Sequence, residues 1–558
     1  MGDAKVVEQG LEEIALLLGF SQQGRFKAQA YERGAEVVAG LSFELGAVIE
    51  RGRLTEIEGI GASLSKQILE LWNTGRSTLL DRLRAECPPG AAALARIPGL
   101  TPKRIQALHG GLGIASVEQL RAACEAGRVR ALSGFGAKTE AKILAALDAV
   151  ARAEQAEPRI LLVEALAISE RWRSELAQVA GVCEVAIAGD ARRGQETLTE
   201  MALLVVHQDA TPALLAWLAA RPDVLRVEER AGVLHASRVD GIAMQLHLSD
   251  ADHAGLTLLR ATGPHAHVTE LAMRCQLAGS SAVDALEGER AIYHRASLRP
   301  VPPELRDRPL DPDAAFDDLI EAAHIRGFVH CHTTHSDGKH SVEEMARAAK
   351  ERGMQYITIT DHSPSAYYAR GVTLERLKAQ WDELREVEQR VGIRVLRGTE
   401  SDILIDGSLD YPPDVLAQFD VVIASIHSRF KLSKAEMTER LVRAMKQPVF
   451  KIWGHALGRL LLSRAPVECD VEAVLDALAE SRGAIEINGD PHRLDLPPEW
   501  IRPARERGIP FVLSVDAHST QGLDVLPFAA QIGRRGGLRR NEVLNTLDAE
   551  TFAARVRP

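Results

Sequence analysis

The sequence predicts a multidomain protein with a helical, hairpin-rich N-terminal region and a C-terminal βα barrel. Three observations predict it. Glycine-centred segments recur three times before residue 140, each between helical stretches. After residue 320, seven short apolar runs each end on, or just before, a metal-type ligand. Stretches of helical periodicity, such as Val342 to Glu351 and Val471 to Ser481, separate most of those runs.

The glycine segments come first in the chain. They are Ile57-Glu58-Gly59-Ile60-Gly61, Ile97-Pro98-Gly99-Leu100-Thr101 and Leu132-Ser133-Gly134-Phe135-Gly136. A basic residue follows each: Lys66, then Lys103 and Arg104, then Lys138. Glycine lets a hairpin backbone approach a ligand and present N–H groups at a helix N-terminus, a nest suited to DNA phosphate. Such contacts carry no base readout. These are helix-hairpin-helix signatures, and three copies favour sequence-independent DNA binding over a plain turn. Gly59, Gly61, Lys66, Gly99, Lys103, Gly134, Gly136 and Lys138 are the candidate contacts. The second copy departs from Gly-x-Gly at Thr101.

The apolar runs follow. Gly327-Phe328-Val329 leads into His330 and His332, and Tyr356 to Thr360 into Asp361 and His362. Ile393 to Leu396 precedes Glu400, Val421 to Ile426 ends at His427, and Val449 to Trp453 precedes His455. Ala484 to Ile487 ends at Asn488, and Phe511 to Val515 runs into Asp516 and His518. Each run has the length and apolar, β-branched content of a strand. Strand–helix alternation is the pattern of a βα barrel, whose chemistry sits at the carboxyl ends of the strands. A ligand after nearly every strand makes a ring around one cavity, a multinuclear metal site. His330 and His332 share a face because strand side chains alternate, which leaves Cys331 for core packing. Asp337 precedes Gly338, which suits a tight turn; His335 and His340 are its rivals as ligands. Asp361, Asp402 and Asp410 either ligate or support ligands.

Composition sets the outer limits. At 558 residues the chain holds several domains. No apolar stretch approaches the roughly 18 residues that span a bilayer, and no signal-peptide core opens the chain. The six cysteines (Cys87, Cys124, Cys183, Cys275, Cys331 and Cys469) are scattered without CxxC pairs, as in a reduced, cytoplasmic protein. A net charge of −10 excludes a broadly basic nucleic-acid coat but not local phosphate contacts. The Pro-, Asp- and Arg-rich stretch from Arg299 to Asp313 marks the main break, with weaker ones at Ala85 to Ala91 and Ala153 to Pro158.

The segments HCHTTHSDG, ITDHS, GTESDI, ASIHS, WGHALGRLL, EINGDPHRLDL and VDAHS, in this order, resemble the PHP (polymerase and histidinol phosphatase) domain. The version they resemble closes bacterial family X DNA polymerases, and the likeness covers about residues 322 to 550. It implies a distorted seven-stranded βα barrel with three divalent ions on nine ligands: His330, His332, Asp337, His362, Glu400, His427, His455, Asp516 and His518. One ion would take His330, His332, Glu400 and Asp516; a second would share Glu400 with His427 and His455; a third would take Asp337, His362 and His518. Imidazoles with carboxylates suit Mn²⁺, Zn²⁺ or Fe²⁺. The implied reaction is hydrolysis of a phosphoester by water activated between metals. Arg459, Arg493 and Lys339 are candidates to hold phosphate oxygens.

The resemblance extends upstream. Phe26 to Arg33 is similar to the first helical domain of family X polymerases, where a basic cluster meets a 5′-phosphate. Lys27 and Arg33 are either those contacts or residues of an ordinary amphipathic helix. A palm-like nucleotidyltransferase segment follows, and here the chain departs from its relatives. They read Gly-Ser-x-Arg-Arg-Gly, then Gly-Asp-x-Asp, with a third aspartate on a later strand. This chain reads Gly189-Asp190-Ala191-Arg192-Arg193-Gly194, then Thr199-Glu200-Met201-Ala202, with Gln245 at the third position. Glu200, Ala202 and Gln245 thus replace three carboxylates, and one glutamate is not a cage for two Mg²⁺ ions. Asp190 stands where a serine meets the triphosphate, and its charge would repel one.

The expected domains are a helical domain with helix-hairpin-helix (1–84), a fingers-like helix-hairpin-helix domain (85–154), and an α+β palm and thumb region (155–300). A linker (301–321) and the PHP domain (322–558) complete the chain. The expected activity is 3′→5′ exonuclease, 3′-end or abasic-site processing in DNA repair. A monomer would act on gapped DNA or a 3′ end, with a vestigial polymerase module. The rivals are an active gap-filling polymerase with PHP proofreading, a non-catalytic repair scaffold and a small-molecule phosphatase. Glu200, Ala202 and Gln245 argue against the first, the full ligand set against the second, and the hairpins against the third.

Overall fold

The computed structural model describes residues 4–20, 25–40, 45, 49, 52, 54–56, 60–155, 157–274 and 285–558. The chain divides into two compact units, Met1–Glu157 and Pro158–Pro558.

The first unit is helical among its described residues. Its core is a continuous apolar cluster that includes Leu11, Ile14, Ile68, Leu94, Ile105 and Leu120. Short polar caps start its helices. Ser77 accepts from Leu80 N–H, Ser116 from Gln119 N–H, and Thr101 from Arg104 N–H with Pro102 in the first turn. Gly99 (φ +88°) and Gly134 (φ +85°) occupy the left-handed region at the second and third hairpins. A Cβ at either would meet no atom within 4 Å, so both turns are open on their outer side. Arg104 braces the second hairpin through its hydrogen bond to Gly99 O at 2.7 Å. Gly61 caps the helix Ala62–Thr74 after the first hairpin. Residues 57–59, Gly59 included, lie outside the described residues, as does Cys275. Lys27, Arg33, Lys66, Lys103 and Lys138 are all exposed.

The second unit opens with seven strands: β1 (Ile160–Leu161), β2 (Val182–Ala188), β3 (Thr197–Leu198), β4 (Glu200–His207), β5 (Val224–Arg230), β6 (Val233–Arg238) and β7 (Ala243–Ser249). β1 and β3 form a small antiparallel pair. The others form a mixed sheet ordered β2-β4-β7-β6-β5, in which β4 and β7 run parallel. The helix Leu162–Leu176 packs on it through Trp172, which meets Trp217 edge to face at 5.2 Å. Residues 301–321 are a packed strap. Leu305, Leu310 and Leu319 share a core with Leu259 and Tyr293, and the buried Arg306 pairs with Glu289 at 2.8 Å.

Seven parallel strands follow: β8 (Gly327–Cys331), β9 (Tyr356–Ile359), β10 (Arg394–Asp402), β11 (Val421–Ser425), β12 (Lys451–Trp453), β13 (Gly483–Asn488) and β14 (Phe511–Ser514). They lie side by side in chain order. Beyond β14 the chain returns to β8: Ala517 N–H donates to His330 O at 3.0 Å and His332 N–H to Ala517 O at 2.9 Å. The buried Asn545 bridges the same seam elsewhere, donating to Gly327 O and Leu513 O. The result is a nearly closed barrel. Every residue of β8, β9, β11, β12, β13 and β14 is buried, as the continuous apolar runs require of a parallel sheet covered on both faces. β10 corrects one expectation, because it does not stop at Leu396. It runs on through Glu400, paired with β11 from Gly398–Val421 to Asp402–Ser425, since its polar residues face the cavity wall rather than solvent.

Candidate metal centre

The ring of ligands expected from the strand ends is brought together at one end of the barrel. His330 and His332 come from β8 and the residue after it, Glu400 from β10, and His362, His427, His455, Asp516 and His518 from just beyond β9, β11, β12 and β14. Asp337 returns from the turn after β8. Gly338 permits that turn by close approach rather than by a left-handed φ, since a Cβ there would lie 2.5 Å from Thr333 N. Six strands thus supply nine ligand-type side chains, and β13 supplies their supports.

Glu400 is the hub. Its Oε2 lies 3.3 Å from His330 Nε2, 3.0 Å from His362 Nδ1 and 3.6 Å from His332 Nε2. Its Oε1 lies 2.8 Å from His455 Nε2 and 3.1 Å from His427 Nε2. Asp516 Oδ1 stands 3.5 Å and 3.4 Å from the Nε2 atoms of His330 and His332. Asp337 Oδ2 is 3.5 Å from the Nε2 atoms of both His362 and His518. Four groups have ligand atoms mutually within 4.8 Å: His332-Asp337-His362-His518, His330-His332-Asp516, His330-Glu400-His455 and His362-Glu400-His427. Relative to the expected grouping, His427 and His455 fall in separate groups that share Glu400, and His332 joins the group around Asp337.

These residues fit a cation. His330 Nε2, both ring nitrogens of His332 and His455 Nδ1 are buried without a hydrogen-bond partner. Such orphans are rare in a folded interior and call for an ion or water. Burial alone would raise the Glu400 carboxyl, but the charges of His427, His330 and His362 outweigh it and hold Glu400 well below the carboxylate range. Burial, with His518 and His362, pushes His332 down to about 3, leaving a neutral imidazole with a free lone pair. His330 (φ +68°), His455 (φ +24°) and Asp516 (φ +47°) all take positive φ without being glycine. Strain of this kind concentrates where a site dictates side-chain direction.

Of the supports, Glu486 is the residue that the sequence pattern does not single out. Glu486, fully buried on β13, accepts from His330 Nδ1 at 2.5 Å, from His455 N–H and from Asn488 Nδ2 at 3.1 Å. A carboxylate behind a ligating imidazole fixes its tautomer and orientation. The available signal was an acid two residues before Asn488 on an otherwise apolar strand. Asp402 holds His427 Nδ1 at 2.5 Å, and Asn488 reaches Asp516 Oδ2 at 3.1 Å. Asp361 ties down Thr333, Ser336 and Gln380, and Asp410 caps Ser365. Neither belongs to a ligand group. His335 turns away to Glu383 at 2.7 Å, and His340 Nδ1 accepts from Thr520 N–H.

The candidate cations separate. Arg493 faces the centre, 3.4 Å from Asp516 Oδ2. Lys339 is exposed two residues after Asp337, and its backbone N–H donates to His518 O at 2.7 Å. Arg459 is a correction. It was expected to hold phosphate, but its buried guanidinium donates to Arg493 O, Leu494 O and, at 2.8 Å, to Glu196. Two carbonyls of the loop after β13 and a carboxylate from the mixed-sheet region engage its Nε and Nη2.

In the mixed sheet, the register sets Ala202 opposite Gln245 and Glu200 opposite Ala243. Gln245 Nε2 donates to Glu200 Oε2 at 2.5 Å, so the three palm positions do meet. Asp190 pairs with Arg193, and Arg192 with Glu289 at 2.7 Å.

A nearly closed parallel barrel with a His, Asp and Glu ring at one end is the architecture of a PHP domain, and residues 329–490 match the PHP domain family. Residues 4–77 match a helix-hairpin-helix domain, and residues 91–149 a SAM-like helix-hairpin-helix tandem. The chain is 32% identical to the "DNA polymerase/3′-5′ exonuclease PolX" of Bacillus subtilis (strain 168), over 98% of each chain. It is 29% identical to a probable phosphatase of Thermoanaerobacter sp. (strain X514), over 39% of this chain and 89% of that one. A probable phosphatase of Shewanella sp. (strain MR-4) is 27% identical over 39% of this chain and 85% of its own. The chain belongs to the bacterial family X DNA polymerases that carry a C-terminal PHP domain. Among the described residues, no helix is long and apolar enough to cross a membrane.

Proposed function

We propose that the chain processes DNA ends by metal-dependent phosphodiester hydrolysis, as a 3′→5′ exonuclease or in 3′-end or abasic-site repair. The observation that carries this reading is the convergence of five imidazoles on the single buried carboxylate of Glu400. His330, His332, Asp337, His362, Glu400, His427, His455, Asp516 and His518 would hold three divalent ions of the Mn²⁺, Zn²⁺ or Fe²⁺ type. Bound there, the ions would supply Lewis acidity toward a phosphoester. Glu486, Asp402 and Asn488 orient the ligands, and Arg493 offers its charge to a phosphate oxygen while steadying Asp516. No side-chain nucleophile is needed. The open hairpins at Gly99 and Gly134, with Lys66, Lys103 and Lys138 exposed, support a sequence-independent grip on gapped DNA or a 3′ end. The likeness to PolX over the full length supports the same substrate class.

The polymerase module is read as vestigial. In support, Glu200 is held by Gln245, and Asp190, Arg192 and Arg193 are paired internally. The test is Mn²⁺-loaded protein on 5′-labelled gapped DNA, read on a denaturing gel, with a chromogenic phosphodiester alongside. A ladder shortened from the 3′ end, lost in His330→Ala/His332→Ala, is the expected result. Intact DNA in the presence of full metal content would overturn the reading.

A further inference from the structure

A cavity of about 510 Å³ borders the metal centre between the loops that follow β10 and β11. Its wall on the metal side is His427, backed by Asp402 at 2.5 Å. Whatever fills it therefore abuts the ligand ring. The volume lies within the roughly 300–1,000 Å³ of small-molecule pockets, suited to one nucleoside and too small for a base pair in a duplex.

The cavity is built, not incidental. Arg440, 2% exposed, donates to Leu404 O at 3.0 Å, to Ser428 O at 2.9 Å and to Ile403 O. One buried guanidinium thus staples both loops through their carbonyls, and no carboxylate pairs with it among the described residues. Burying that charge is costly, and the return is a wall of fixed shape.

Two features of the wall lack an internal explanation. Ile405 lines the cavity yet is 60% exposed, an apolar side chain held at the edge of a polar site. Arg429 is exposed, takes a left-handed φ of +59°, and forms no ion pair among the described residues. A ligand with a flat apolar face for Ile405 and Leu404, and an anion for Arg429, satisfies both. Nucleotides have that combination. A base packs its face on apolar side chains or a guanidinium plane, and its phosphate pairs with arginine.

We infer that this cavity takes the 3′-terminal nucleoside of a DNA strand, its base against Leu404 and Ile405 and its single phosphodiester reached by Arg429 beside His427 of the metal ring. The inference rests on the phosphoesterase reading above.

The test uses the full chain with Mn²⁺. The readout is kcat/KM on a 5′-labelled DNA strand divided by kcat/KM on bis(p-nitrophenyl) phosphate, which is too small to need the cavity. Ile405→Asp and Arg429→Ala should each lower that ratio about ten-fold, through KM for DNA. Ile405→Met, which keeps the apolar face, should restore most of it. An unchanged ratio in both Ile405→Asp and Arg429→Ala, with the native chain active on both substrates, would overturn the cavity assignment alone. A native chain loaded with metal but inactive on both substrates would overturn the phosphoesterase reading and the cavity with it.

Discussion

Arg459 Nη2 donates to Glu196 at 2.8 Å, and this contact fastens the mixed-sheet region to the loop that carries Arg493. Arg535 grips the other oxygen of Glu196 at 2.9 Å. Burial alone would raise the Glu196 carboxyl, but the two guanidinium charges outweigh it and keep it ionised. Removing one member of a buried pair leaves the others uncompensated. Glu196→Gln should therefore destabilise the second unit by about 3 kcal/mol. Calorimetry of the full chain should show its transition several degrees lower. An unmoved transition would mean that the clamp contributes nothing.

Glu486 should matter to metal binding although it is not among the nine ligand-type residues. Its bond to His330 Nδ1 aims Nε2 at the centre. Loss of such a support typically costs 10–100-fold in metal affinity. Glu486→Gln should show that loss in a chelator competition. Native affinity in that variant would remove Glu486 from the site.

Asp337 and His335 are two residues apart, and the geometry separates them. Asp337 points between His362 and His518, while His335 pairs with Glu383. Metal content should fall in Asp337→Ala and hold in His335→Ala. The opposite pattern would make His335 the ligand.

The barrel is legible because most of its strands are buried on both faces and read as apolar runs with a ligand-type residue at or just past the end. What stayed hidden lay across sequence distance. Arg459 beside Gly458 looks like a phosphate clamp until Glu196, 263 residues away, is seen to claim it. Glu486 leaves only a weak local mark, an acid on an otherwise apolar strand; His330, brought alongside by the barrel, gives it its role. The extent of β10 is not legible, because its later residues are polar yet face inward. Proline and charge mark a linker at 301–321 in the sequence, and what they do not reveal is its packing, with Arg306 paired to Glu289.

That pair gives a pH dependence. Burial alone would raise the Glu289 carboxyl, but Arg192 and Arg306 outweigh it and bring it from 4.5 down to about 2. A carboxylate held lower in the folded state than in the unfolded stabilises the fold above the unfolded value. That contribution fades as pH falls from about 4.5 toward 2. The shift corresponds to about 3 kcal/mol. Glu289→Gln should be less stable at neutral pH, with the gap to the native chain closing across that acid range. Urea midpoints measured against pH check this, and a gap that stays constant would sink it.

Template-directed nucleotide addition should be absent. Two divalent ions packed between a primer end and a triphosphate need several carboxylates to balance them. At the matching positions the chain offers Glu200, whose carboxylate already accepts from Gln245 at 2.5 Å, while Ala202 offers no ligand. The neighbouring charges are committed as well, Asp190 to Arg193 and Arg192 to Glu289. Positioning at the ångström level governs such reactions, so a single glutamate on a longer stem should not rescue the site. The measurement is primer extension on gapped DNA with Mg²⁺ or Mn²⁺, in a His330→Ala/His332→Ala background so that products survive. No extension is expected. Glu200→Asp, Ala202→Asp and Gln245→Asp together, with Asp190→Ser, should yield the first detectable products, because they return carboxylates to three positions that the parallel pair β4–β7 already holds side by side. Robust extension with the native residues at 190, 200, 202 and 245 would mean that other carboxylates carry the ions and that the module is a working polymerase.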